Sequence, residues 1–444
     1  MAAVEFDPVQ AERFVARTRR SRRLHEQTLE VIPTGHAGGM SLYLPGNPIT
    51  VERAKGCWVW DVDGNRYLDL RLGDWVLIHG HCNPEINAAV RAQMERAWQI
   101  GAPEWDLGYR MADLLRERTP SIDKVRFFAS GTDANLCALR LARAHTGRTK
   151  LAKAVAGYHG TADVLLAGTS LLRPPDEFVP GGVPARIGDD IVEIPFNDAD
   201  GAAAILAAEG SEIAALLVEP VMTAAGMIEA RPEFLRRLRE VTEQQGIVLI
   251  FDEVVNFPIA YGGAQAHYGV TPDLTTLAKA IGGGLPASAV AGKAAIMDLL
   301  EPDAHGGRAP VEVMATFGGN LMAMAAGIAC LEGLTPEVHD RLTALAAQTR
   351  QRIDEIGRRN GVPLHSTGLG FLIGMHWAED RVVDYPTRLR DDREKIANIM
   401  LTLNNEGYYS TFTGFLLLST AIGEQEIDGF LSALERAIRE LGYC

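Results

Sequence analysis

Metal-ligand spacing, membrane-length apolar runs and an excess of positive charge are all missing from these 444 residues. Five cysteines (Cys57, Cys82, Cys137, Cys330 and Cys444) are odd in number and far apart, and no two stand at a zinc-ligand spacing. A disulfide framework and a metal site are therefore not expected. The thiols read as reduced and mostly buried, as in a cytoplasmic protein. No apolar run approaches the ~20 residues that span a bilayer, and the N-terminus has no apolar signal core, so a membrane is not an expected partner. Lys and Arg total 43 against 57 Asp and Glu, a formal net charge of −14, which argues against nucleic acid. One basic cluster, RTRRSRR from Arg17 to Arg23, lies in a helix-like stretch and reads as a solvated face or subunit contact. Internal repeats and low-complexity segments are absent.

What is present is the composition of an ordinary globular enzyme, 47% hydrophobic and 23% charged, with sequence for two to three domains. Residues 8–30 read as one amphipathic helix that stops before Ile32-Pro33-Thr34-Gly35. A β-meander follows over 49–51, 57–61 and 66–70, with Asp63-Gly64 as its hairpin turn. From Pro84, helices (84–98, 107–118, 132–145, 232–245) alternate with strands (125–129, 151–155, 213–218, 247–251). That rhythm predicts an α/β domain with a mostly parallel sheet flanked by helices. Beyond Asn320 a helical stretch to Asn360, strands at 370–376 and 415–419 and a helix over 426–441 predict a smaller α+β domain. The expected division is 1–83, 84–320 and 321–444.

The chemistry gathers at strand ends. Val248 to Phe251 is a buried-strand pattern ending at Asp252, and Lys279 follows 27 residues later (279 − 252) in LTTLAKAIGGGLP. A buried carboxylate there needs a partner, and a protonated pyridine nitrogen would supply one. Lys279 sits in an otherwise uncharged stretch, where desolvation should lower its pKa and free its amine for a Schiff base. Taken singly, Asp252 is equally readable as a helix cap or metal ligand and Lys279 as a loop residue. Ser130-Gly131-Thr132 joins a strand to a helix, which makes either a phosphate site or a simple cap by Thr132. In Gly157-Tyr158-His159-Gly160, Tyr158 could lie on a flat ring or plug the surface, and His159 could tune a proton or merely pack. Glu219, ending the next strand, should stand beside Asp252, either bonding groups that touch a cofactor or capping a helix. Ser130 to Thr132, Tyr158, Asp252 and Lys279 all fall at carboxyl ends of strands or in the turns after them, the edge where open α/β sheets bind ligands.

The motifs WDVDGNRYLDL, GHCNPEI, FFASGTDANLCALRLARAHTGR, GYHG, VEPVM, LIFDEV, GVTPDLTTLAKAIGGGLP and ATFGGNLMAMAAG run through nearly the whole chain. In that order they resemble the class III aminotransferases of fold type I, in the branch of glutamate-1-semialdehyde aminomutase and β-amino-acid aminotransferases. The resemblance implies a large domain with a seven-stranded-type sheet, a small domain built from both chain ends, and pyridoxal 5'-phosphate as cofactor. It implies that Lys279 forms the Schiff base and shuttles the proton, that Asp252 bonds the ring nitrogen, and that Ser130, Gly131 and Thr132 hold the phosphate. Tyr158 would stack on one ring face and Val254 on the other. Thr316 would reach the phosphate in a neighbouring subunit, which implies a homodimer with shared sites. The partners implied are a small-molecule amino donor and a keto acceptor, joined by a ping-pong route. Alternatives on the same scaffold are an intramolecular aminomutase or epimerase, and a protein that holds the cofactor without catalysis.

Departures from the family bear on the substrate. Members acting on β-amino acids tend to carry arginines where this chain reads Gly35-His-Ala-Gly-Gly-Met-Ser41 and Ser410-Thr-Phe-Thr-Gly414, with Thr413 in the second. The arginine usual after Asp-Glu-Val is replaced by Asn256-Phe-Pro-Ile-Ala260. Bidentate capture of a carboxylate by these routes is absent. Tyr43, Trp75, Val76, Met222, Thr223 and Phe412 are expected either to line an apolar substrate pocket or to be plain packing.

Overall fold

The computed structural model describes residues 4–38, 45, 47–101, 103–167 and 181–444. They form two compact units, the larger comprising Pro84–His339 and Val383–Leu389.

The large unit is built on seven strands: Lys124–Phe128 (β1), Lys150–Ala154 (β2), Ile191–Ile194 (β3), Ile213–Val218 (β4), Val248–Asp252 (β5), Leu274–Ala278 (β6) and Ser288–Gly292 (β7). Their order across the sheet is β1-β7-β6-β5-β4-β2-β3. Only β7 runs against its neighbours; the remaining pairings are parallel. Every residue of β4, β5 and β6 is buried. In β4 and β5 that burial explains why the sequences are near-continuous apolar runs rather than alternating ones, as expected of strands covered on both faces. The helix Gly131–Thr146 turns Ala134, Cys137, Ala138 and Leu141 onto a core that includes Leu217, Ile250, Leu274 and Val290.

Two differences from the sequence reading have clear causes. The expected continuous helix to Asn360 is two helices, Leu321–Gly333 and Pro336–Asn360, bent by 75°. Pro336 has no N–H to continue the first helix and forces its predecessor out of helical geometry. The first of these helices packs on Pro84–Met94 and Asp106–Arg118, so the large unit runs on to His339 rather than stopping at 320. Among the described residues no single helix is long and apolar enough to cross a membrane.

The smaller unit takes residues from both chain ends: those up to Asn83, Asp340–Val382 and Arg390–Cys444. Its meander is Val51–Lys55, Trp58–Asp61 and Arg66–Asp69. Asp61 Oδ1 accepts from the N–H groups of Asp63 and Asn65, closing the turn that Gly64 completes at φ +90°. Tyr408–Tyr409 then joins Arg66–Asp69 in parallel, so the last part of the chain extends a sheet begun by the first. The expected single N-terminal helix is Pro8–Arg17 and Arg19–Leu29, interrupted at Thr18, whose hydroxyl turns back onto the Phe14 carbonyl. Such local bonding competes with the helical ladder. A separate antiparallel sheet orders Leu364–Thr367, Leu372–Trp377 and Phe415–Leu417. The large unit is thus α/β, with a mostly parallel seven-stranded sheet, and the small unit is α+β.

Candidate active site

Asp252 ends β5 and is 3% exposed. Three donors surround its carboxylate. His159 Nδ1 lies 2.8 Å and Asn135 Nδ2 2.9 Å from Oδ2, and the Val254 N–H reaches Oδ1 at 3.1 Å. Asn135 also donates to the His159 carbonyl at 2.7 Å, tying the turn after β2 to the helix Gly131–Thr146. A buried carboxylate with this many donors is held in one orientation. Asn135 carries no local motif beyond its place in Gly-Thr-Asp-Ala-Asn. The signal for it was an amide on an otherwise apolar helix face beside Ala134, Cys137 and Ala138.

Glu219 and Asp252 follow the paired residues Val218 and Phe251 on adjacent parallel strands, so they stand next in register. Burial, then the charge of Asp252, raises the pKa of Glu219. The same two influences, with Glu219 added, raise the Tyr158 phenol in the turn after β2. Lys279 begins the turn after β6, half-buried and at φ +54°. A non-glycine residue in that conformation is strained, and such strain concentrates at functional positions.

At the mouth of the helix Gly131–Thr146, Ser130 is the N-cap: its hydroxyl oxygen accepts from the Asp133 N–H at 3.2 Å and its O–H meets Asp133 Oδ2 at 2.7 Å. Thr132 does not cap this helix; its Oγ1 accepts from the Thr161 N–H at 3.2 Å. Ser288, on β7, donates to the Ser130 carbonyl at 2.6 Å and holds the mouth to the sheet. Gly131 packs closely on Val254: a Cβ there would stand 3.1 Å from a Val254 methyl, which would have to give by a few tenths of an ångström. Gly160, at φ +118°, is constrained more strongly, since a Cβ would come within 2.4 Å of Thr132 Oγ1. Glycine spacing in the sequence thus marks close approach of three segments: the helix mouth, the turn after β2 and the turn after β5.

The large unit therefore brings Ser130, Gly131, Thr132, Tyr158, His159, Glu219, Asp252, Val254 and Lys279 to one edge of its sheet. Met222 and Thr223 also lie in this unit, both buried; Thr223 bonds Glu219 and Met222 pairs in a short hairpin with Ile228. Thr316 is exposed, on a loop with Met314 (97% exposed) and Phe317 (60%). Trp75, Val76, Phe412 and Thr413 belong to the smaller unit. Trp75 closes a left-handed turn running from Leu72, all four residues having positive φ, and Val76 follows it half-buried. Phe412 packs with Phe14, Val59 and Tyr67, while Thr413 shares a 2.6 Å hydroxyl contact with Thr411. Tyr43 lies outside the described residues.

The arrangement offers a carboxylate for a ring cation, an amine one strand away, and helix N–H groups for an anion. The chain is similar along most of its length to several known proteins. A glutamate-1-semialdehyde 2,1-aminomutase of Bacillus cereus (strain AH187) is 39% identical over 403 residues, covering 89% of this chain and 92% of that protein. An omega-transaminase from Sphaerobacter thermophilus superposes with a TM-score of 0.89 at 37% identity, covering 94% of this chain and 97% of the other. A β-phenylalanine aminotransferase from Variovorax paradoxus gives 0.88 at 34% identity, covering 98% and 97%. Residues 44–438 match the family model described as aminotransferase class III, and the chain belongs to that family.

Proposed function

We propose that this chain is an aminotransferase that moves an amino group between an amine or amino acid and a keto acceptor by a ping-pong route. Pyridoxal phosphate is the cofactor of the family, and the residues described above fit its parts. The helix mouth with Ser130, Gly131 and Thr132 suits the phosphate, since first-turn N–H groups and the helix dipole both favour an anion. Asp252 suits the ring nitrogen, and Tyr158 and Val254 suit the two ring faces. When bound, the cofactor supplies an electron-withdrawing ring that stabilises negative charge on the substrate carbon. The observation that carries the reading is Asp252, fixed by His159, Asn135 and the Val254 N–H, with Lys279 beginning the turn after the neighbouring strand.

In this reading Asp252 keeps the ring nitrogen protonated. Lys279 anchors the cofactor and then carries a proton to and from the substrate α-carbon. Asn256, which follows the Asp-Glu-Val turn, is buried and bonds both the N–H and the carbonyl of Val221. No cation for a substrate carboxylate is offered there, which favours amines or amino acids held by apolar contact. The exposed loop with Met314, Thr316 and Phe317 fits a second copy of the chain, making a homodimer in which Thr316 serves the neighbouring site. The absence of any disulfide among the cysteines fits a reducing compartment, the cytoplasm.

The 39% identity to an aminomutase supports a second reading, transfer within one molecule. Stoichiometry separates the two. Incubation with one amino donor from a panel including alanine, 1-phenylethylamine and β-phenylalanine should give one equivalent of keto product and then stop until pyruvate is added. Continued isomerisation of a single substrate with no keto product would overturn the transfer reading. Lys279→Ala should also remove the visible absorption of the protein-bound cofactor; an unchanged spectrum would remove Lys279 from its role.

A further inference from the structure

The crevice edge holds a second buried acid that the scheme above leaves idle. Glu219 is 4% exposed. Its Oε1 accepts from the Thr223 hydroxyl at 2.7 Å and from the Thr223 N–H at 3.4 Å. Its Oε2 is buried and has no hydrogen-bond partner among the described residues. Two ionised carboxylates in adjacent register positions repel each other strongly where water is excluded, so one of them holds a proton. The donors decide which. Asp252 has three, from His159, Asn135 and Val254, whereas Glu219 has Thr223 alone, and all of Thr223's bonds go to Oε1. The other titratable groups facing this pair are His159, 2.8 Å from Asp252, and Tyr158, from the turn after β2, Glu253 beside Asp252, and Lys279, from the turn after β6. Burial and the Asp252 charge act on Glu219 more strongly than the opposing pulls of Thr223 and Lys279, and its pKa is raised accordingly.

We propose that Glu219 is a neutral carboxylic acid in the working protein, with Oε1 held as the acceptor end by Thr223 and Oε2 carrying the proton as a hydrogen-bond donor for the ligand. Asp252 is then the one anion of the pair. The ligand atom that Glu219 recognises is an oxygen acceptor, either an anionic ring oxygen or a carbonyl, which a second carboxylate would repel. A buried O–H without an acceptor is costly, so the bare Oε2 is a site waiting for its partner. The assignment holds whichever amino-group reaction the crevice supports, and it stands or falls separately from the transfer reading.

The test is infrared difference spectroscopy at pH 7, wild type minus Glu219→Gln, on the cofactor-free protein and on the protein saturated with pyridoxal phosphate. A glutamine reproduces a neutral acid, its carbonyl accepting from Thr223 and its amide donating where Oε2 does. The expected difference spectrum contains a protonated-carboxyl C=O stretch, and the cofactor dissociation constant of Glu219→Gln stays within about threefold of wild type, while Glu219→Ala weakens it by about tenfold or more. Glu253, also buried, contributes equally to both spectra and cancels. A difference spectrum showing ionised-carboxylate bands instead, or a Glu219→Gln protein that binds the cofactor at least about tenfold more weakly, overturns the proposal. Should Glu219→Gln fail to fold, Thr223→Val gives an independent reading. Removing the donor to Oε1 must shift a protonated-carboxyl band to higher frequency, and no shift counts against the assignment.

Discussion

His159 Nδ1 and Asp252 Oδ2 lie 2.8 Å apart with both side chains buried, His159 at 2% exposure and Asp252 at 3%. The imidazole comes from the turn after β2 and the carboxylate from the end of β5, two strands away across β4. The contact, together with that from Asn135, fixes which way the carboxylate faces. His159 thus acts through Asp252, as a positioning residue.

Asp252→Asn should retain the cofactor but slow proton removal from the substrate carbon. Replacing the anion by a neutral amide removes electrostatic support that strengthens as charge develops, an effect on the order of 10²–10³-fold in rate. Single-turnover absorbance with an amino donor measures it. A wild-type rate would show that Asp252 does not act on the ring.

His159→Ala should destabilise the cofactor-free protein by about 1–3 kcal/mol, the cost of leaving a buried acceptor short of a donor. Urea unfolding followed by circular dichroism gives the number. A cofactor-bound rate that falls along with stability, and recovers partly in His159→Gln, separates positioning from packing.

Gly160→Ala places a methyl against Thr132 Oγ1 in a backbone conformation, φ +118°, that favours glycine. Strain of about 1–3 kcal/mol is expected, realised as displacement of the helix mouth from the turn after β2. The cofactor dissociation constant, measured by fluorescence, should rise by roughly 5- to 150-fold. Gly147→Ala, at the exposed C-terminal end of the same helix, is the control: it also places alanine at positive φ, +71°, with nothing within 4 Å of the added methyl, and should leave cofactor affinity intact.

Glu253 is fully buried, accepts from the N–H of Gln265 at 3.4 Å and from its side-chain amide at 3.0 Å, and has its pKa pushed up by burial to about 7. The folded state therefore holds this proton over a range where the unfolded chain, with an ordinary value of 4.5, has released it. Stability contributed by the neutral acid is complete below the unfolded value and declines as pH rises through about 7. Glu219 pulls in the same direction. Melting temperatures from pH 5 to 8 should fall less steeply in Glu253→Gln than in wild type. Parallel profiles would mean that Glu253 is already ionised.

Much of this architecture was legible from residue order alone. The apolar runs at 213–218 and 248–251 read as buried strands because nothing polar interrupts them, and the Asp63-Gly64 turn was set by the only residue free to take positive φ there. Lys279 and Asp252 were visible because each is an ionisable group standing against an apolar background. Other elements were hidden for physical reasons. Leu274–Ala278 and Ser288–Gly292 contain Thr, Ser, Ala and Gly, which carry little hydrophobic period, and they become strands because their neighbours in the sheet supply the hydrogen bonds. The helix Ala199–Glu209 is so alanine-rich that it shows no amphipathic stripe.

Sequence by itself therefore determined the α/β class, through the alternation of apolar strands and helices, and carried in its ordered motifs the resemblance to the family, with Asp252 and Lys279 as the candidate groups. Only the tertiary structure decided who stands beside whom: that Asn135 and His159 converge on Asp252, that Glu219 is left with one donor residue, and that Tyr408–Tyr409 completes a sheet begun more than 300 residues earlier (408 − 69). Those pairings join segments far apart in the chain, and their energies come from excluding water around groups that, in the extended polypeptide, never meet.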